Sequence, residues 1–283
     1  MKYEMIKHLI RIAVLLIVAL LLMFLPFLPG RYDSLAVNLS YMIQVFCHSA
    51  LLFIPLGLLW TLLDLTGKKL KSAFIEKLSL IVAGIVAISI ALAAGSRESS
   101  LFGITIIVIS FYFLVKEYRR VNVSRTSEKG TFNPIALYLV IIPVVLFVAR
   151  SIFITRAVEY SRRIAIENSE SLIQDIETYY QNENKYPVSL QALHSDGDYP
   201  PRVIGIRQYF YEPNGDAYNL YFEQLSTKLD MEEIVMFNKL DEHQFAAHAK
   251  DILEFTGEEL ALRRGDRRKV KLPTPHWVYF EFD

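Results

Sequence analysis

The chain has 283 residues, 53% of them hydrophobic, with 30 Lys/Arg balanced by 30 Asp/Glu for a formal charge of zero. Residues 1–155 carry 15 Lys/Arg against 7 Asp/Glu, whereas residues 156–283 carry 15 against 23, which marks two domains in different surroundings. The acidic second half argues against a nucleic-acid partner, since phosphate binding needs concentrated basic surface, and a single cysteine, Cys47, excludes an intrachain disulfide.

A membrane-crossing helix needs about 20 mainly apolar residues. Residues 9–28, 39–63, 78–94, 101–115 and 135–153 qualify, the fourth only by recruiting flanking residues such as Tyr118. The first resembles a signal peptide, with Lys2, Lys7 and Arg11 before its apolar core. That core ends in Phe27-Leu28-Pro29-Gly30 rather than a small-x-small site, so it reads as an uncleaved anchor.

Short-loop Lys/Arg set the orientation. Twelve lie at the N-terminus and in the second and fourth loops, against two, Arg31 and Arg97, in the alternate loops. The N-terminus is therefore expected in the cytoplasm, and five spans then place residues 154–283 outside. Arg150, Arg156, Arg162 and Arg163, on the far side of the fifth span, oppose this assignment. They are discounted because long exported domains translocate largely regardless of charge.

Within the second span, Tyr41, Gln44, Cys47 and His48 recur three or four residues apart and share a helix face. Proton transfer or metal binding is one reading of such a face. Hydrogen bonding to neighbouring helices is the preferred one, because no second intramembrane His, Asp or Glu offers a partner. His8 lies at the opposite side of the membrane, which argues against a bis-histidine haem. Pro55 is expected to kink this helix. In the third span Ala83, Ala87, Ala91 and Gly95 form a stripe of small residues that lets helix backbones approach closely. With the short 95–100 connection it predicts a tight hairpin of spans three and four, in preference to a dimerisation seam. No inverted repeat or pair of broken helices of the transporter kind is evident.

From 155 to 181 there is no Pro or Gly, and Ile164, Ala165, Leu172, Ile173, Ile176, Tyr179 and Tyr180 recur at helical spacing. The helix continues span five, giving about 50 residues or roughly 75 Å. Asn184 suits a left-handed cap and Pro187 prevents continuation.

This membrane helix, followed by Tyr179-Tyr180, Asn182-x-Asn184-Lys185-Tyr186-Pro187 and Ser189-Leu190-x-x-Leu193, resembles the heads of type IV pilins and type II secretion pseudopilins. The resemblance covers about residues 134–225. It implies a long helix laid on a small antiparallel sheet, with Tyr180, Asn184, Lys185, Tyr186, Pro187, Leu190 and Leu193 in structural roles. Asn184 stands where that family usually has Gly, a replacement the left-handed conformation tolerates. Gly130-Thr131-Phe132 superficially matches a prepilin cleavage junction, yet the residue four past Phe132 is Ala136 where the family has Glu. Four spans also precede it, so neither leader cleavage nor ordinary pilus assembly is expected.

Strands are predicted over 206–212 and 217–224, flanking the turn Pro213-Asn214-Gly215-Asp216, and over 233–238 and 277–282. A short helix is predicted over 243–255. Asp196 with Asp198, and Glu212, Asn214 and Asp216, lack a complete calcium pattern and read as turn residues. His194, His243, His248 and His276 lack zinc spacing, and Ser189 and Ser195 lack a nucleophile elbow. The basic run Arg263, Arg264, Arg267, Arg268, Lys269 and Lys271 reads as a solvated loop rather than a contact for anionic headgroups or polymer. Arg264-Gly265-Asp266 carries no weight.

The expected architecture is an α-helical membrane domain of five spans plus an α+β exported domain. Its divisions are 1–133 for four spans, 134–153 for the fifth and 154–283 for a pseudopilin-like head. The expected role is a scaffold or interaction protein of the bacterial inner membrane, without catalytic residues, metal or cofactor. The lipid bilayer, other membrane or periplasmic proteins and a second copy of the chain are the expected partners. A periplasmic ligand-sensing receptor, and an enzyme or transporter using the polar face of span two, are the alternatives.

Overall fold

The computed structural model describes residues 2–66, 72–97, 100–123, 134–193, 199–214, 216–229, 231–243 and 268–282. The chain divides into two compact units, Met1–Leu25 with Leu35–Ile154, and Pro26–Ser34 with Thr155–Asp283. The second unit begins at Thr155, next to the expected boundary, but it also takes Pro26–Ser34, a segment that the sequence reading left with the membrane spans.

The first unit is helical: α1 (Lys2–Phe24), α2 (Ser34–Ser49), α3 (Phe53–Thr66), α4 (Ser72–Arg97), α5 (Ser100–Val123) and the first half of α6 (Ile135–Glu183). Five helical stretches are long and apolar enough to cross a bilayer, and the fourth runs from Ser100 to Arg120, longer than its apolar core. Leu9, Val14, Ile17 and Leu21 of α1, and Ile104, Val108 and Phe111 of α5, are exposed on the protein surface. Such continuous apolar surface suits contact with hydrocarbon rather than water.

The second apolar stretch stays helical throughout Ser34–Leu63 and tightens for one turn ahead of Pro55. A single 3-10 turn, Ala50–Leu52, separates α2 from α3. Pro55 falls in the first turn of α3, where its missing N–H leaves no helical bond unmade. The hairpin of α4 and α5 is tight for a specific reason. A β-carbon on Gly103 would lie 2.6 Å from the Ala91 carbonyl oxygen and 3.0 Å from the Gly95 Cα, so only glycine lets these backbones meet.

The second unit is α+β. Along α6 the buried positions Val158, Ser161, Arg162, Ala165, Ile166, Ser169, Leu172 and Ile176 recur at three- and four-residue steps. Ser161 and Ser169 satisfy their hydroxyls by donating to the carbonyls of Val158 and Ile166 at 2.9 and 2.7 Å, so they enter the stripe without an orphan polar group. The stripe packs on a five-stranded antiparallel sheet in the order β1-β2-β3-β5-β4. Its strands are β1 (Phe210–Asn214), β2 (Ala217–Leu225), β3 (Glu232–Asn238), β4 (Arg268–Lys271) and β5 (Trp277–Phe282). Leu172, Ile176, Tyr218, Leu220, Phe222, Val235 and Trp277 form the shared core. Full burial of each Leu or Ile here stabilises by about 1.5–3 kcal/mol.

Two sequence expectations need correction. Arg268, Lys269 and Lys271 are not in a solvated loop: they belong to β4, paired to β5 through Arg268↔Glu281 and Lys271↔Val278. All three are exposed on an edge strand, so the pattern is charged while the backbone is paired. The first strand starts at Phe210 rather than 206 because Val203–Ile206 forms a turn, closed by Ile206 N–H to Val203 O at 3.1 Å. The predicted helix over 243–255 lies, except for His243, outside the described residues, as do His194, Ser195, Asp196, Asp198, Gly215, His248, Arg263, Arg264, Gly265, Asp266 and Arg267.

The Val203 turn receives the Pro26–Ser34 segment. Gly30 N–H donates to Arg202 O at 2.9 Å, Ile204 N–H to Leu28 O at 3.0 Å, Gly205 N–H to Pro26 O at 2.7 Å and Asp33 N–H to Ile204 O at 3.0 Å. Pro29 and Val203 form an antiparallel bridge. A β-carbon on Gly205 would sit 2.7 Å from the Pro26 carbonyl oxygen, so glycine is needed for this approach. The link between the first two helices is thus zipped to the α+β unit.

Candidate functional site

Among the polar residues of span two, the structure buries Gln44 and Cys47, leaves Tyr41 half-buried and turns His48 to the surface of the helical unit. His48 Nδ1 lies 2.9 Å from the Gln44 carbonyl of its own helix, and its ring packs edge-on against Phe147. The four residues therefore do not converge on one chemical centre. Cys47 is buried and packs with Met23 and Leu146 in an apolar cluster.

Gln44 does the converging. Its Nε2 donates to Ser40 Oγ at 3.2 Å, and the Ser40 hydroxyl donates to the Met23 carbonyl. Its Oε1 accepts from Arg150 Nε at 3.1 Å. This chain ties α1, α2 and α6 together with every named donor matched to an acceptor, the usual way buried polar groups hold helices in an apolar medium. The expectation that no ionisable partner faced span two missed Arg150. Only His, Asp and Glu were considered, and Arg150 was counted with the charges flanking the span. Its position inside an apolar run was the available signal, because intramembrane cations are costly and face the bundle interior.

Ala83, Ala87, Ala91 and Gly95 all face α5. Ala91 is buried, Gly95 abuts Gly103, and Ala83 and Ala87 flank a shallow crevice with Ile109 and Phe113. His8 shares a 3.1 Å hydrogen bond with the Tyr138 hydroxyl, which gives it a structural partner.

The α+β unit holds a second buried polar centre. Three adjacent strands place Gln224, Glu233 and Glu281 side by side in register, on the face that α6 covers. Arg162 reaches down from α6 and donates to the Glu233 carboxylate through Nε at 3.1 Å and through a shorter contact from its second guanidinium nitrogen. Gln224 Nε2 donates to the same carboxylate oxygen. The guanidinium also stacks on Tyr279, 4.1 Å from the ring centre. Burial pushes the Glu233 carboxyl upward, and the Arg162 and Gln224 donors pull it back. Glu281, directly opposite Glu233, is steadied by Lys228 at 3.9 Å and Arg268 at 4.0 Å.

Beside this centre a cleft of about 710 Å³ lies between α6 and β4–β5, lined by Arg156, Glu159, Tyr160, Arg163, Lys271 and Tyr279 among others. No nucleophile–base pair lines it. Arg162 had been discounted in sequence as a flanking charge, and Glu233 had gone unread. Inward Val235 and Phe237 at two-residue spacing were the signal that Glu233 also points inward.

The motif residues after α6 are structural. Asn184 adopts a left-handed φ of 53° and its N–H caps Tyr180 O at 2.9 Å, the conformation that lets Asn stand in for Gly. Tyr180 stacks on Tyr186, Tyr186 packs edge-on to Tyr218, and Tyr211 donates to Pro187 O at 2.8 Å. Leu190 opens a 3-10 turn, Leu193 is buried in the core, and Lys185 is exposed. Burial and the nearby Glu177 carboxylate push the Tyr218 hydroxyl far above its ordinary range. Glu212 accepts from the Tyr221 hydroxyl at 3.0 Å. Among the described residues no group of three His, Cys, Asp or Glu is placed to hold a metal. No family model, curated protein or solved structure matches the chain.

Proposed function

We propose that this protein is a multi-pass protein of the bacterial inner membrane that presents a pilin-like α+β domain outside the cytoplasm as a scaffold for other membrane or periplasmic proteins. The observation that carries the reading is α6, one 49-residue helix whose first half is apolar enough to cross a bilayer and whose second half is the spine of the sheet domain. In both buried polar centres an arginine is held by a side-chain acceptor, Arg150 by Gln44 and Arg162 by Glu233, which suits architecture. The Lys/Arg bias supports an N-terminus inside, and with an odd number of spans it supports a sheet domain outside. The left-handed Asn184 cap and the Tyr186-Pro187 packing support the pilin-like reading.

The test is chemical crosslinking of the intact protein in its own membrane, followed by purification. A reproducible heterologous partner or oligomer is the expected result, and its absence overturns the scaffold role. The cleft beside Arg162 favours a second reading, a receptor whose exported domain perceives a periplasmic ligand. A small molecule that raises the melting temperature of the intact protein, without any protein partner, selects that reading.

A further inference from the structure

Zipping Pro26–Ser34 to the Val203 turn has an electrostatic consequence. The bridge Pro29↔Val203 and the Gly30–Arg202 hydrogen bond bring together arginines far apart in sequence. Arg31, Arg202 and Arg207 line one cleft of about 830 Å³ with Tyr32, Pro29, Pro200 and Pro201, and among the described residues no acidic side chain lines it. Arg202 is held at a left-handed φ of 54°, between the buried Pro201 and Val203. That conformation is disfavoured for a long side chain and persists only where the surroundings enforce it. Grouping three cations costs Coulomb energy that a bound anion removes.

The arginine forks suit phosphate oxygens, which they engage through paired N–H donors. Tyr32 and the prolines add an apolar wall, which suits a headgroup joined to carbon rather than a bare ion. Arg31 lies four residues past the end of the first apolar helix, which runs Met5–Phe27. Four residues span at most about 14 Å, so Arg31 stays within reach of the headgroup layer.

We propose that the Arg31–Arg202–Arg207 cleft binds the phosphate of an anionic phospholipid headgroup. The site is independent of the scaffold role and goes beyond it. Native mass spectrometry of the intact detergent-purified protein, titrated with phosphatidylglycerol or phosphatidylcholine, tests it. The wild type is expected to retain phosphatidylglycerol at least about tenfold more strongly. Loss of each arginine contact should weaken retention by about tenfold, so R31Q/R202N/R207Q should bind the two lipids alike, whereas K185Q on the same unit should behave as wild type. R202N keeps a residue that tolerates the left-handed backbone. R207Q alone, outside the backbone bridge, should still lose about tenfold even if the triple variant does not fold. Equal retention by R207Q and wild type, or no preference in the wild type, overturns the proposal. Displacement of the lipid by millimolar inorganic phosphate assigns the site to soluble phosphate and overturns the lipid.

Discussion

Arg162 and Glu233 stand 71 residues apart and meet under α6, with the guanidinium Nε 3.1 Å from the carboxylate. The pair is almost wholly removed from water, with side-chain exposures of 10% and 2%. At that burial the Coulomb gain is offset by desolvation, and the two partners depend on each other.

Removing one partner should therefore cost far more than removing both. E233A is expected to destabilise the α+β unit by about 3–5 kcal/mol, while R162M/E233L should recover most of that loss. Trp60 and Trp277 are the two tryptophans, so a W60F background leaves Trp277, in the core beside Phe222 and Phe237, as reporter. Denaturant titration of the intact protein by Trp277 fluorescence gives the values. Equal losses in the single and double variants would show that the pair is not coupled.

The attachment of Pro26–Ser34 rests on one glycine. G205A drives a methyl to 2.7 Å from the Pro26 carbonyl oxygen, and overpacking of this kind costs about 1–3 kcal/mol. The amides of Gly30 and Ile204 should exchange with solvent much faster in G205A, whereas those of β2 and β3 should not change. Hydrogen exchange read by mass spectrometry separates the two sets of peptides.

The helical unit distinguishes two polar residues on one helix. Q44L removes the acceptor of Arg150 and the donor to Ser40, and should lower stability in detergent by about 0.6–2 kcal/mol. H48A removes only a bond to its own helix and an edge contact with Phe147, and should change stability by less than about 0.5 kcal/mol. Thermal unfolding in one detergent compares them. An H48A loss as large as that of Q44L would contradict the placement of His48.

His243 supplies a pH response. Its ring nitrogens face the carbonyls of Asp241 at 3.1 Å and His276 at 2.9 Å, and burial holds its pKa below the ordinary histidine value. A group that titrates lower in the fold than in the unfolded chain favours the native state while neutral. Its contribution is complete above the unfolded pKa of about 6.5 and is lost as pH falls towards the folded value. The stability of the α+β unit should therefore drop on acidification from pH 7 through that window. H243Q should flatten the slope, as measured by Trp277 fluorescence at a series of pH values.

Much of this architecture was legible before any coordinates. Apolar runs mark five helices long enough to cross a bilayer, helical periodicity carries α6 past its apolar half, and Asn184 with Pro187 marks its end. Strands β2, β3 and β5 fall within a residue or so of their aromatic patterns. The fourth strand lacks a strand signature because three of the four residues of Arg268-Lys269-Val270-Lys271 are charged and exposed, so this edge strand shows no alternation of apolar and polar residues. The sequence points to Gln44 as a helix-packing hydrogen-bonder but not to Arg150 as its partner, and gives no sign of the Arg162–Glu233 pair. Arg150, Arg162 and Glu233 are charges inside apolar or amphipathic stretches, and a pattern reading discounts such charges unless their partners are known.

Length, apolar runs and periodicity by themselves determined that this is a chain of five long apolar helices with an α+β domain on the last of them. These properties repeat along the backbone, and each element expresses them locally. Only the tertiary structure decided that Gln44 meets Arg150, that Glu233 meets Arg162, and that Pro26–Ser34 bonds to the Val203 turn. Each of those contacts joins segments tens to more than a hundred residues apart, and the energy of a buried polar group depends on which partner arrives. The cationic cleft of Arg31, Arg202 and Arg207 has the same origin: separate arginines in sequence become a site through backbone hydrogen bonds around Gly30 and Gly205.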